Sequence, residues 1–313
     1  MNRQGAANPS DMPPTPKTTH SPSVIHTRYE GISRSFLPFL SPGRLVRNLW
    51  GNRALLRQLS KTRFAAGHRE DILGMAWLVL EPLVMLAVYS FVFIFIFGVR
   101  WEGVPGKQLG TALTLYAGIV TYQIFAQSLA HAAGVIRDSP SYVKQMVFPT
   151  EVLPASVVGG MFVPTCIGYT LIIVGTLVGQ LLGIGLRVPV TALLLPVVLI
   201  PMYLMIVGFA WLVSALCVFI PDVRTITGLI IHFAFFLTPI VYPFHSQRIS
   251  DQLRSLLLLN PMTTIVESVR AVLIYGRTPP WLALAIVTVA SALICQLGFA
   301  FFMRSKKAFA DAV

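Results

Sequence analysis

Six apolar runs divide this chain, and their lengths limit the folds open to it. They cover about 72–98, about 110–134, a part of 152–186, a part of 190–220, about 227–241 and about 281–303. A helix needs about 20 apolar residues to cross a bilayer. Five runs provide them and the one at 227–241 is short. The chain is 55% hydrophobic and only 12% charged, more apolar surface than a soluble domain of 313 residues can hide. The expectation is an all-α integral membrane protein with six transmembrane helices between 72 and 303.

A net charge of +12 suggests nucleic acid, but its placement argues otherwise. Eleven of the 24 Lys and Arg precede residue 72, ahead of the first apolar run. No basic patch is interleaved with stacking aromatics in a polar setting, so nucleic acid is not an expected partner. Six crossings bring both termini to one side. In that arrangement 17 Lys or Arg lie inside and seven outside, which makes both termini cytoplasmic. Residues 1–43 are rich in Pro, Ser and Thr and lack the apolar stretch of a cleavable signal, so a disordered cytoplasmic tail is expected. Residues 304–313, with Arg304, Lys306 and Lys307, read as a second cytoplasmic tail.

Residues 44–66 cannot span. At 100° per residue Leu45, Leu49, Leu55, Leu56 and Leu59 share one sector, and Arg44, Arg47, Arg53, Arg57 and Lys61 occupy the rest. This predicts an amphipathic helix in the inner interface, either a plain anchor or a lever for a cytoplasmic partner. In the third run Gly168, Gly175, Gly179 and Gly183 form a small-residue stripe that allows close helix approach. Packing within the chain and a dimer seam both fit it. Cys166, Cys217 and Cys295 fall inside apolar runs with no metal spacing and read as packing residues.

Signs of catalysis are sparse. The chain has no H-E-x-x-H, no Cys/His cluster and no G-x-S-x-G. "VPGKQLGT" fails as a phosphate loop: Trp101 stands where its first glycine belongs and Gln108 replaces Ser or Thr. Glu81, about ten residues into the first run and followed by Pro82, is a costly charge that faces protein or water, or lies near the inner interface. His131 and His232 read as satisfied packing histidines.

Four segments carry a family resemblance. "KTRFAAGHREDILGMAWLVLEP" leads through Leu73, Gly74, Trp77 and Pro82 into the first span. "VIRDSPSYVKQMVFPTEVLP" holds Lys144, Phe148, Pro149, Leu153 and Pro154. "FIPDVRTI" has Pro221 where an arginine is usual. "LTPIVYP…LLLLNPMTTIVESVRAVLIYG" contributes Pro239, Tyr242, Pro243, Asn260, Pro261, Glu267 and Arg270. In this order, over roughly 44–310, they resemble type-2 ABC exporter permeases, most closely those exporting O-antigen, capsule or teichoic acid polysaccharides.

Pro239 and Pro243 explain why the fifth run stops, since proline lacks an N–H and clashes with the preceding turn. "LRSLLLL" then reaches only about 10 Å at 1.5 Å per residue. The alternatives for 243–278 are a surface helix on the outer leaflet and a re-entrant hairpin. The resemblance implies the hairpin, as a gate formed by Pro239, Tyr242, Pro243, Asn260, Pro261, Glu267 and Arg270. It also implies a multi-pass permease of the bacterial inner membrane, working as two copies with two separate ATP-binding cassette subunits. ATP and magnesium would reside on those subunits and no cofactor on this chain. Arg53, Arg57, Asp138, Ser139, Tyr142 and Lys144 would receive the ATPase's motion. The cargo would be a lipid-linked polysaccharide, with Tyr89, Tyr116, Tyr122, Phe125, Phe235 and Phe236 as candidate pathway-lining aromatics. An exporter of drugs or lipids, and a membrane transferase acting on a lipid carrier, are the other readings. The transferase would have to draw on Glu102, His245, Asp251 and Glu267, which show no recognisable spacing.

Overall fold

A computed structural model of the chain describes residues 41–66, 74–99, 101, 103–143, 148–244 and 250–309. The expected tail at 1–43 lies almost wholly outside these residues, as do Lys144, Glu102 and His245. Among the described residues all regular structure is helical. Among the same residues five helices are long and apolar enough to cross a membrane, and a sixth segment qualifies if the bent pair before the last helix is counted as one span.

The amphipathic segment forms α1 (Pro42–Gly51) and α2 (Arg53–Ala66) rather than one continuous helix. The break falls at Asn52, which follows Gly51, and both are weak helix formers. Leu45, Leu49, Leu56 and Leu59 pack against the core as their spacing predicts, and Leu55 is half-buried. The first span, α3 (Trp77–Ser90), widens into π-helical turns over Phe91–Ile96. It continues through Pro82, and no residue in it is buried.

The second span, α4 (Lys107–Gly134), is the axis of the fold. Of its most apolar stretch 78% is buried, against 0% for the first span and 33% for the last. It starts at Gly106, whose left-handed φ of 82° suits glycine. After the one-turn helix α5 (Pro140–Val143) comes the third span, α6 (Val152–Gly160) and α7 (Phe162–Leu181). Its glycine stripe faces α4: a Cβ on Gly168 would meet Val120, and one on Gly175 would meet Leu113. Packing within the chain thus uses the stripe at these two positions.

The fourth span, α8 (Leu195–Phe219), pairs along its length with the last, α12 (Trp281–Ser305). Their backbones touch where Gly298 faces Gly208: a Cβ on Gly298 would lie 2.1 Å from the Gly208 carbonyl oxygen. Cys217 and Cys295 pack inside as expected, whereas Cys166 is exposed.

The short fifth run is α9 (Val223–Leu237), 15 residues long. At 1.5 Å per residue it extends about 22 Å, less than the hydrocarbon core of about 30 Å. Proline at 239 drives Thr238 to an extended conformation (φ −98°, ψ 134°) and ends the helix. Two further helices precede α12: α10 (Asp251–Leu258) and α11 (Pro261–Arg270), the latter continuing to Tyr275. They meet at 96°. Pro261 opens α11, and the Asn260 side chain caps it by accepting from the Met262 N–H at 3.0 Å. Gly276 ends it in the left-handed region, and the Arg277 N–H returns to the Ala271 carbonyl at 2.9 Å.

Candidate functional site

Two polar clusters lie at opposite ends of α4. The first centres on Arg270, whose side chain is fully buried. Its Nη1 donates to the Pro239 carbonyl (2.6 Å) and to Glu267 Oε1 (2.7 Å). Nη2 donates to the Ile240 carbonyl (2.6 Å) and Nε to the Thr114 carbonyl of α4 (3.0 Å). Its guanidinium carbon also stands 5.4 Å from the centre of the Trp101 ring. A proline break leaves carbonyls without helical partners, and burying them unmet costs about 1–3 kcal/mol each. One guanidinium meets two of them and ties the break to α4. A Cβ on Gly118 would collide with Nη2 at 2.6 Å, so glycine makes room for the clamp.

The rest of the predicted gate set gathers nearby. The Asn260 Nδ2 donates to Thr238 Oγ1 at 2.9 Å, and the Tyr242 hydroxyl donates to the Phe236 carbonyl at 3.1 Å. Pro243 and Glu267 line a cavity of about 520 Å³.

Toward the other end of α4 the chain turns at Asp138, which pairs with Arg224 of α9 at 3.6 Å. Arg224 stands three residues after Pro221, the position where an arginine was expected. Gly134 permits the approach, since a Cβ there would meet both Asp138 and Arg224. Ser139 accepts from the Tyr142 N–H at 3.2 Å, and the Tyr142 ring lies 4.9 Å from that of Phe148. Arg53 is exposed, donates to the Trp50 carbonyl at 3.0 Å and lies over the Trp50 ring; Arg57 is also exposed. Among the described residues neither arginine forms a salt bridge with Asp138, whose partner is Arg224. Arg63 does sense the loop. Burial lowers its pKa from the usual value, and the nearby Tyr142 and Asp138 act to raise it. Its Nε donates to Ser156 at 3.0 Å.

Glu151 was not among the residues singled out from the sequence. Its side chain is 4% exposed and accepts from the Asn48 Nδ2 (2.8 Å) and the Lys306 Nζ (2.6 Å). Its carbonyl accepts from the Trp211 Nε1 at 2.9 Å. One residue at the start of the third span thus holds α1, α8 and the segment after α12. The available signal was an acidic residue at the head of an apolar run, in "FPTEVLP".

The aromatic candidates separate. Tyr122, Phe125 and Phe235 form a cluster, with ring centres 5.8 Å and 5.4 Å from Tyr122, and the Tyr122 hydroxyl donates to the Ile231 carbonyl. Tyr122 and Phe125 are buried within the single chain, as is Tyr116. Tyr89 is half-buried and stacks on Phe93, and Phe236 is exposed. Tyr116 and Glu81 line a cavity of about 470 Å³ between α3, α4 and the third span. Glu81 is one turn into α3, which starts at Trp77. His131 and His232 each bond the carbonyl four residues earlier at 2.7 Å, but they lie on exposed helix faces rather than in the core. Asp251 pairs with Arg254 and Glu267 with Arg270. Among the described residues no group of three or more His, Cys, Asp or Glu could hold a metal.

The ABC-2 type transporter family matches residues 54–274. The chain is 28% identical over 276 residues to the O-antigen export system permease protein RfbA of Myxococcus xanthus, covering 86% of this chain and 99% of that relative. It is 24% identical over 248 residues to the protein of the same name from Klebsiella pneumoniae, covering 78% of this chain and 89% of that relative.

Proposed function

This chain belongs to the ABC-2 type transporter family, and from that premise we propose that it is the permease subunit of an ATP-driven exporter of a lipid-linked polysaccharide. The names of the two relatives given above, both O-antigen export system permease proteins, support the cargo class. The observation that carries the reading is the spacing of the two polar clusters. Thr114, bonded by Arg270, and Gly134, beside Asp138, are 20 residues apart on α4. At 1.5 Å per residue that is about 30 Å, the thickness of a bilayer's hydrocarbon core. One cluster therefore suits each membrane face.

In this reading the Asp138 face is cytoplasmic, with both termini, in a bacterial inner membrane. The excess of Lys and Arg on that side supports it. Two ATP-binding subunits dock there against α1, α2 and the loop holding Asp138, Ser139, Tyr142 and Lys144. Two copies of the permease enclose the path, and ATP and magnesium stay on the partners. At the other face α10 and α11 form a re-entrant hairpin whose bend is capped by Asn260, while Arg270 rather than lipid satisfies the proline break after α9.

The experiment is co-purification with the ATP-binding subunit, followed by ATPase assays in vesicles. Stimulation by a lipid-linked glycan is expected. Stimulation by small amphiphiles alone would favour drug or lipid export. Product formation by the isolated chain would favour a transferase.

A further inference from the structure

We infer that the cavity beside the Arg270 clamp is a saccharide subsite that holds a pyranose ring of the cargo; the inference rests on the polysaccharide reading above. At about 520 Å³ it has the size of a small-molecule site. Trp101, Phe244 and Tyr275 contribute aromatic surface to its wall, Thr263 and Thr264 hydroxyls, and Glu267 a carboxylate. This is the pairing a sugar ring requires, since its C–H faces pack on aromatics while its hydroxyls donate and accept at the edge.

Two donors at this wall lack partners. Trp101 is 7% exposed and Thr263 is 0% exposed, and neither the Trp101 Nε1 nor the Thr263 Oγ1 has a hydrogen-bond partner among the described residues. Leaving such groups unmet is costly, and each calls for an explanation. Both atoms are closed off from the cavity in this state, so a ligand hydroxyl supplies one for each by displacing side chains of the wall. Glu267 meets Arg270 through Oε1, which leaves Oε2 for a second donor. The cavity between α7 and α8 offers the contrast. It is larger, about 640 Å³, but lined by groups such as Ile173, Leu199 and Val207 and suited to an acyl chain.

The test uses the full chain in phosphatidylcholine nanodiscs, free of sugar-based detergent. The probes are methyl α-mannoside, methyl β-galactoside and N-acetylglucosamine, followed by saturation-transfer NMR titration. At least one pyranose binds, and Thr263→Val and Trp101→Phe each weaken it about tenfold. Thr263→Val also separates a ligand role from a structural one. A hydroxyl reserved for ligand costs stability when unmet, so its removal raises the melting temperature of the sugar-free chain. Failure of all three sugars to bind, or binding unchanged in both variants, overturns the subsite. Co-purification of the ATP-binding subunit does not involve this cavity, so the subsite and the export reading can fail separately.

Discussion

Lys306 donates to Glu151 at 2.6 Å across 155 positions of sequence. The same carboxylate accepts from Asn48, so the segment before the first span and the segment after the last meet at the head of the third. Glu151→Ala leaves an amide and an ammonium facing a partly buried gap. It is expected to cost about 2 kcal/mol, given that Lys306 is 30% exposed and solvent offsets part of the loss. Thermal unfolding of Glu151→Ala, Lys306→Ala and the double variant checks this. Strict additivity would show that the contact carries no coupling.

Arg270→Lys keeps the charge but loses the planar fork, which a single ammonium cannot replace. The Pro239 and Ile240 carbonyls then lose donors. Faster amide exchange is expected over 238–244, with the centre of α8 unaffected. Equal exchange in both proteins would remove the clamp from the account.

Glycines distinguish rigid from forgiving contacts. An added Cβ at Gly298 meets the Gly208 backbone at 2.1 Å, whereas at Gly175 it meets the tip of Leu113 at 2.7 Å. Backbone cannot turn aside and a leucine methyl can. Gly298→Ala should therefore sharply reduce the yield of folded protein, and Gly175→Ala only slightly. Gly228→Ala, with nothing within 4 Å, should be neutral or stabilising by about 0.5–1 kcal/mol. Fluorescence-detected size exclusion ranks the three.

Asp138 and Arg224 have side chains 58% and 61% exposed, so their pair adds little to stability. Asp138→Asn is expected to leave the melting temperature within a degree or two while uncoupling ATP hydrolysis from export in vesicles. Intact coupling would count against docking at this loop.

Much of this architecture was legible because local chemistry dictates it. Apolar run length gave the long helices, and proline at 239 and 261 gave an end and a start. The leucine spacing of 44–66 marked the half-buried face packed on the core but not the break at Asn52, where weak propensity outweighs a continuous pattern. Glu151 was illegible because its side-chain partners lie 103 and 155 residues away. The Gly208–Gly298 contact was hidden for the same reason: neither glycine belongs to a local repeat, and only the crossing of α8 and α12 brings them together. The candidate gate residues, Arg270 among them, could be named from motif order, whereas the bonds from its guanidinium to Thr114, Pro239 and Ile240 arise only when distant segments of the chain fold together.

The enclosure of α4 has a mechanical consequence. A rod sheathed on nearly all sides has little room to bend, so a push at its base arrives at its tip. Any stroke that shifts the turn at Gly134 along the axis must carry Thr114 with it, and with Thr114 the guanidinium latched to it.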